Sequence, residues 1–381
     1  MNRRLNRGAR AVLYVATVLA VPACMTDDVH VIGDNGNAAA DTLPISGAEA
    51  AGRLAKTLWQ QLPADPTWVA ATAPTLHTRA DVRALALQML TDPRARPAVR
   101  AFYRTWLNLD AIPTQMKDAA RFPEWNAALA QFMIEETLTF STAVTLDMEG
   151  SLATLFTAPF SFMNQPLAAL YGITTVTGQA MQMTSLASGR AGLLTQPGLA
   201  ALVSGSTNNA PSTRGRFVRS RIFCTDVPSA PPGLTQTLSV DPTKTLRQNL
   251  TTAVAGATCH DCHRLIDPVG FAYDGIDGIG RLRAADNGQA VDLTGTIVSG
   301  SADGQSFNGP VELAAIIART DDVRQCLARQ WLSFALGRPL AAADPDARSL
   351  GDVIARAAAV DFNLRQLIAA AVSSESFLAK R

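Results

Sequence analysis

The chain has 381 residues, of which 17% are charged and 48% apolar, and its formal net charge is +1. That length suffices for two or three packed units. The balanced charge, with no basic tract interleaved with aromatics, speaks against a nucleic-acid partner and against binding an anionic membrane surface.

Residues 1–24 read as an export signal. Arg3, Arg4, Arg7 and Arg10 give a positive start, "AVLYVATVLAV" is an apolar run, and "VPAC" brings small residues up to Cys24. The run is short for a bilayer span. The stretch resembles a bacterial lipoprotein signal, in which Cys24 becomes the lipidated first residue and ties the chain to a membrane; a cleaved soluble form and an uncleaved anchor are the alternatives. Residues 25–43 read as a polar tether. The expected location is therefore the periplasm or the cell surface, where thiols are oxidised or covalently used.

Residues 44–175 carry helical periodicity and are expected to form a helical bundle. In "GAEAAGRLAKTLWQQLP", Ala51, Leu54, Leu58 and Leu62 fall at helical spacing before Pro63. "TDPRARPAVRAFYRTWLNL" opens with Asp92 as a cap and Pro93 at the first helical position, and Ala95, Val99, Phe102, Trp106 and Leu109 line one face. "FPEWNAALAQFMIEETLTFSTAVTLDM" repeats the device with Trp125, Leu129, Phe132, Phe140 and Val144. Glu136 falls on that apolar side. It reads as a capped or bridged structural carboxylate, with a catalytic role as the alternative.

Residues 176–300 are less regular. "TVTGQAMQMTSL" reads as a short strand, "SGSTNNAPS" as a loop, "TRGRFVRSRIFC" as a helix and "TDVPSAPPGLTQ" as a Pro-rich connector. Further on, "AVDLTGTIV" and "QSFNG" suggest a small two-stranded element. Residues 301–381 return to helix, with Gly337 as a C-terminal cap.

The chain has only five cysteines and four histidines, yet two of each lie within five positions: Cys259, His260, Cys262 and His263. The pattern fits C-x-x-C-H, the attachment signature of c-type haem. Two thiols at that spacing reach the two vinyl groups of one porphyrin, and the adjacent His263 is placed to ligate the iron. A disulfide between Cys259 and Cys262 is one alternative. Another is a zinc site built from Cys224, Cys259, Cys262 and Cys326, or from three of them with His263. On the haem reading each cysteine is used once, with Cys24 lipidated and Cys224 paired with Cys326, a bridge that would close a long loop.

Pro268 has two readings, as a carbonyl that orients the proximal imidazole or as a turn former. His77, Met181 and Met183 are the candidates for a sixth ligand, an empty position being the other possibility; His260 is inside the motif and His30 in the tether. Arg214, Arg216, Arg219 and Arg221 crowd one helix. Arg214 and Arg221, seven apart, are the pair to consider for the haem propionates, and a solvated basic face is the reading for the others. Asp274 and Asp277 sit near glycines without the spacing of a calcium loop.

Taken in order, "AAGRLAKTLWQQLPAD", "FMNQPLAALYGI", "RAGLLTQPGLAALVSGSTNNAPSTRGRFVRSRIFC", "ATCHDCHRLIDPVGFAYDGIDGIGRLR" and "FALGRPL" resemble the planctomycete and myxobacterial exported cytochrome c-like proteins built from three consecutive domains of unknown function. The resemblance covers roughly residues 44–381. Its most specific pieces are the C-x-x-C-H with its trailing D-P-x-G-F and the "APSTRG" loop. It implies a mainly α chain: a helical N-terminal half, a cytochrome c-like haem loop with a small two-stranded element, and a C-terminal helical segment. The chain has Asp274 where a glutamate is usual, and without the upstream modules of longer relatives the expectation is one haem c. Single-electron transfer to an unknown redox partner is the expected role. An open-iron enzyme acting on peroxide, oxygen or a polymer-derived substrate is the alternative, and a cell-surface structural or binding module the third.

Overall fold

A computed structural model describes residues 41–62, 64–228, 240–340 and 345–380. The expected tether up to residue 40, Cys24 and His30 lie outside them. The protein is mainly α, and the only sheets among the described residues are two-stranded. Residues 41–381 form one compact unit, so the bundle, the motif region and the C-terminal helices share a core.

Helix boundaries follow from local chemistry. Ser46 caps helix α1 (Gly47–Leu58), a Thr78–Asp81 capping box opens α3 (Arg79–Met89), and Asn126 caps α5 (Ala127–Thr142), each side chain taking up a backbone N–H left unpaired at the first turn. The short α2 (Pro66–Thr72) starts on Asp65–Pro66. Asp92 and Pro93 open a 3₁₀ turn that feeds α4 (Arg96–Trp106). The expected α4 face is buried from Ala95 to Leu109. Leu62 is not: α1 ends at Leu58, Gln60 takes a left-handed conformation, and the Leu62 side chain is 72% exposed.

The C-terminal helices lean on the bundle. In α13 (Asp321–Leu336), Trp331 stacks on Phe102 with ring centroids 3.6 Å apart, and Gly337 ends that helix in the left-handed conformation expected of it. Arg53 of α1 donates to the carbonyls of Phe377 and Ala379, and Arg79 to that of Ser373.

The region read as a haem loop is instead a helix, α11 (Ala257–Phe271), with Pro268 inside its last turns. Pro268 reads as a turn former; inside the helix it gives up the N–H bond to the Arg264 carbonyl and crowds that group, a cost that packing against α9 outweighs. The two strands expected beyond it are present and pair, Thr294–Thr296 with Ser306–Asn308. "QMTS" is a strand as expected, and it pairs with Phe160–Met163, a strand inside the stretch expected to be helical.

The helix α9 (Pro211–Phe217) crosses α11 with backbone against backbone. An ideal Cβ at Gly215 would lie 1.8 Å from the Ile266 carbonyl oxygen, and one at Gly270 would lie 1.9 Å from that of Pro211. Only glycine fits at both positions. Gly215→Ala is therefore expected to cost ~3 kcal/mol or more by overpacking. Gly351→Ala, on a helical position with open space around it, should instead gain ~0.5–1 kcal/mol. Denaturant melts of the two variants check the contrast.

Candidate functional site

Cys259, Cys262 and His263 lie on the first turns of α11. At about 100° per residue they occupy one sector roughly 100° wide, whereas Arg264 and Pro268 fall on the opposite side. Cys259 and Cys262 are half-buried and form no disulfide. Cys224 and Cys326 are bonded to each other, S–S 2.04 Å, across 102 residues. That bridge takes two sulfurs from the four-thiolate zinc arrangement, and no group of three or more metal-binding side chains occurs among the described residues.

His263 is oriented from within its own helix. Its Nδ1 lies 2.9 Å from Asp267 Oδ2, one turn further on, and Ser212 donates to Asp267 Oδ1 at 2.7 Å. The Ser212 hydroxyl is also 3.4 Å from Nδ1. The His263 side chain keeps 26% of its surface exposed, against 7% for Asp267. Burial raises the Asp267 carboxyl above its ordinary range, while the bonds from Ser212 and His263 act against that rise.

Pro268 does not orient the imidazole. Its carbonyl abuts Gly295 of the small sheet, and its ring lines an open cleft of about 620 Å³ with Arg264, Arg247 and Phe307. That cleft is on the face of α11 turned away from the cysteines. Asp267 takes the role expected of Pro268, because an i+4 side chain on a helix reaches the imidazole.

The arginine run also departs from expectation. Residues 218–222 form a π turn, which adds about a residue per turn and breaks the seven-residue alignment of Arg214 with Arg221. All four side chains donate to backbone carbonyls. Arg214, 3% exposed, donates to Tyr273, Ile276 and Asp277. Arg216 holds Val227 and Pro228, Arg219 holds Val298 and Ser299, and Arg221 reaches Trp106. Burial pulls Arg214 down to about 10, so it remains cationic at neutral pH. Arg214 is thus a clamp on the chain, while Arg221 is exposed and makes one long contact with the Trp106 carbonyl.

The segment after the motif is fixed from the same side. Asn209 donates to the Asp274 carboxylate at 2.8 Å and to the Ile276 carbonyl at 3.1 Å. Asp274 pairs with Arg283, and Asp277 with Arg281. Both acids therefore serve structure, in line with the absence of calcium-loop spacing. Of the candidate sixth ligands, His77 is exposed beside the capping box of α3, its backbone N–H held by Asp81. Met183 is 61% exposed on its strand, and Met181 packs partly buried against the core.

Glu136 is fully buried. It accepts from Ser161 at 2.6 Å and from the Tyr171 hydroxyl, and Gln196 donates to Ser161. Arg190 lies over the Tyr171 ring, 4.3 Å from its centroid. Both bonds go to Oε1, while Oε2 is buried without a hydrogen-bond partner; full burial leaves no face for a substrate, which supports the structural reading of Glu136. Desolvation pushes its carboxyl up to about 7.

Sequence reasoning missed Ser212 and Asp267. The His263–Asp267 spacing of four was the available signal, once the segment is read as helix. Ser212 comes from 51 residues away and has no local signature.

Three models of proteins of unknown function match the chain consecutively: DUF1592 over residues 45–173, DUF1588 over 190–286 and DUF1585 over 303–377. The motif and α9 both fall in the second. No curated protein and no solved structure matches the chain.

The Glu136 shift makes a pH prediction. A folded-state value near 7, above the ordinary 4.5, favours the protonated native form, so this contribution is full below about 4.5 and is lost as pH rises through 7. Between pH 4.5 and 8, wild-type stability relative to Glu136→Gln should fall by roughly 3 kcal/mol. Urea titrations of both proteins at the two pH values check it.

Proposed function

We propose that the chain is an exported c-type cytochrome-like protein that carries one haem and passes single electrons. One observation supports this most: two thiols outside the disulfide share a helix face with a histidine whose Nδ1 is already engaged. The donor set fits the group. Cys259 and Cys262 would hold haem c through thioether bonds, and His263 would ligate through Nε2. When bound, the haem supplies a one-electron couple at its iron.

The chain's own residues do the rest. Asp267 and Ser212 fix the ring of His263, and Gly215 and Gly270 let α9 hold α11 at contact distance. Arg214 ties down the segment that follows. The Cys224–Cys326 bridge suits an oxidising compartment, where haem attachment takes place. Lipidation at Cys24 would tether the protein; among the described residues no helix is long and apolar enough to cross a membrane.

Co-expression with a cytochrome c maturation system should give a pyridine haemochrome band of the covalent type, lost in the Cys259→Ala, Cys262→Ala double variant. A wild-type protein with no such band would overturn the proposal. A high-spin, cyanide-sensitive spectrum would instead favour the open-iron enzyme reading over electron transfer.

A further inference from the structure

The orientation of His263 carries a consequence that the C-x-x-C-H pattern alone does not. The two imidazole nitrogens are unequal, and the one that offers a lone pair is decided by the bond the other makes. Here the partner is a carboxylate. Asp267 is 5% exposed and cannot rely on water for its oxygens. One oxygen takes the Ser212 hydroxyl at 2.7 Å and the other the His263 Nδ1 at 2.9 Å. Ser212 is itself fixed by the glycine crossing of α9 with α11.

We propose that Asp267, held by Ser212, is a positioning residue that locks His263 as the Nδ1–H tautomer, directs Nε2 to the iron and lowers the iron's reduction potential. The last part rests on the haem reading above. A bond to a charged acceptor is roughly twice as strong as one to a neutral carbonyl, so the ring gains more donor strength than a proline carbonyl would give it. A more basic ligand stabilises ferric over ferrous iron.

The test is a redox titration of the haem-loaded full chain. Asp267→Asn should shift the ferric-to-ferrous ratio at a fixed potential at least tenfold toward ferrous, about 59 mV for one electron. Ser212→Ala should move it the same way by less, and Asp267→Glu, which keeps the charge, should stay on the wild-type side. An unchanged potential in a folded Asp267→Asn protein, or in Ser212→Ala should Asp267→Asn not fold, would overturn the proposal. A second measurement needs neither a variant nor haem: long-range ¹⁵N–¹H NMR of the full wild-type chain without the group. It should show His263 protonated on Nδ1, and protonation on Nε2 would contradict the assignment. A wild type that takes up no haem defeats the functional reading, while the NMR result still decides the orientation.

Discussion

Helices α9 and α11 meet through their backbones at Gly215 and Gly270, and the candidate site depends on that contact. A side chain at either position would hold the helices apart, because the atoms in the way are backbone carbonyls that cannot swing aside. Close approach brings Ser212 within reach of Asp267, and Asp267 in turn fixes His263. The same approach puts Arg214 against the carbonyls of residues 273–277. The "APSTRG" and "DPVGF" stretches are therefore two halves of one joint.

Around this joint, arginine works as a backbone fastener. Four guanidiniums from one short segment reach four separate stretches of chain, where they add donors to backbone carbonyls. The disulfide adds a covalent tie from the end of that segment to α13, and on the chain-entropy model a loop of 102 residues is worth roughly 4–5 kcal/mol. The strand Thr294–Thr296 meets α11 at Gly295 and Pro268, and Arg219 holds Val298 just beyond it. The motif helix is thus held from several sides while the surface of its first turn stays partly open.

Much of the fold was legible in the sequence because amphipathic spacing and caps act locally. Val99, Phe102 and Trp106 are buried as their period requires, and Asp92 and Gly337 do what capping residues do. The Cys224–Cys326 pairing followed from counting sulfurs. The departures have separate physical origins. A proline after Asp267 reads as a turn former, yet here it lies inside the helix that packs against α9. With the segment taken as a loop, the four-residue spacing of His263 and Asp267 carried no meaning. The seven-residue match of Arg214 with Arg221 assumed a regular helix, and the π turn removed it. Ser212 could not be found locally, since its role exists only after two distant glycines have brought the helices together.

The fate of the sulfurs of Cys224, Cys259, Cys262 and Cys326 is tested most directly by the intact mass of the mature full-length protein, denatured and alkylated without reduction. After maturation with haem-attachment enzymes, the expected species carries one haem that survives denaturation, an intact Cys224–Cys326 bridge and no alkylated thiol at Cys259 or Cys262. A mass equal to the polypeptide alone, with both of those cysteines alkylated or joined to each other, would contradict it.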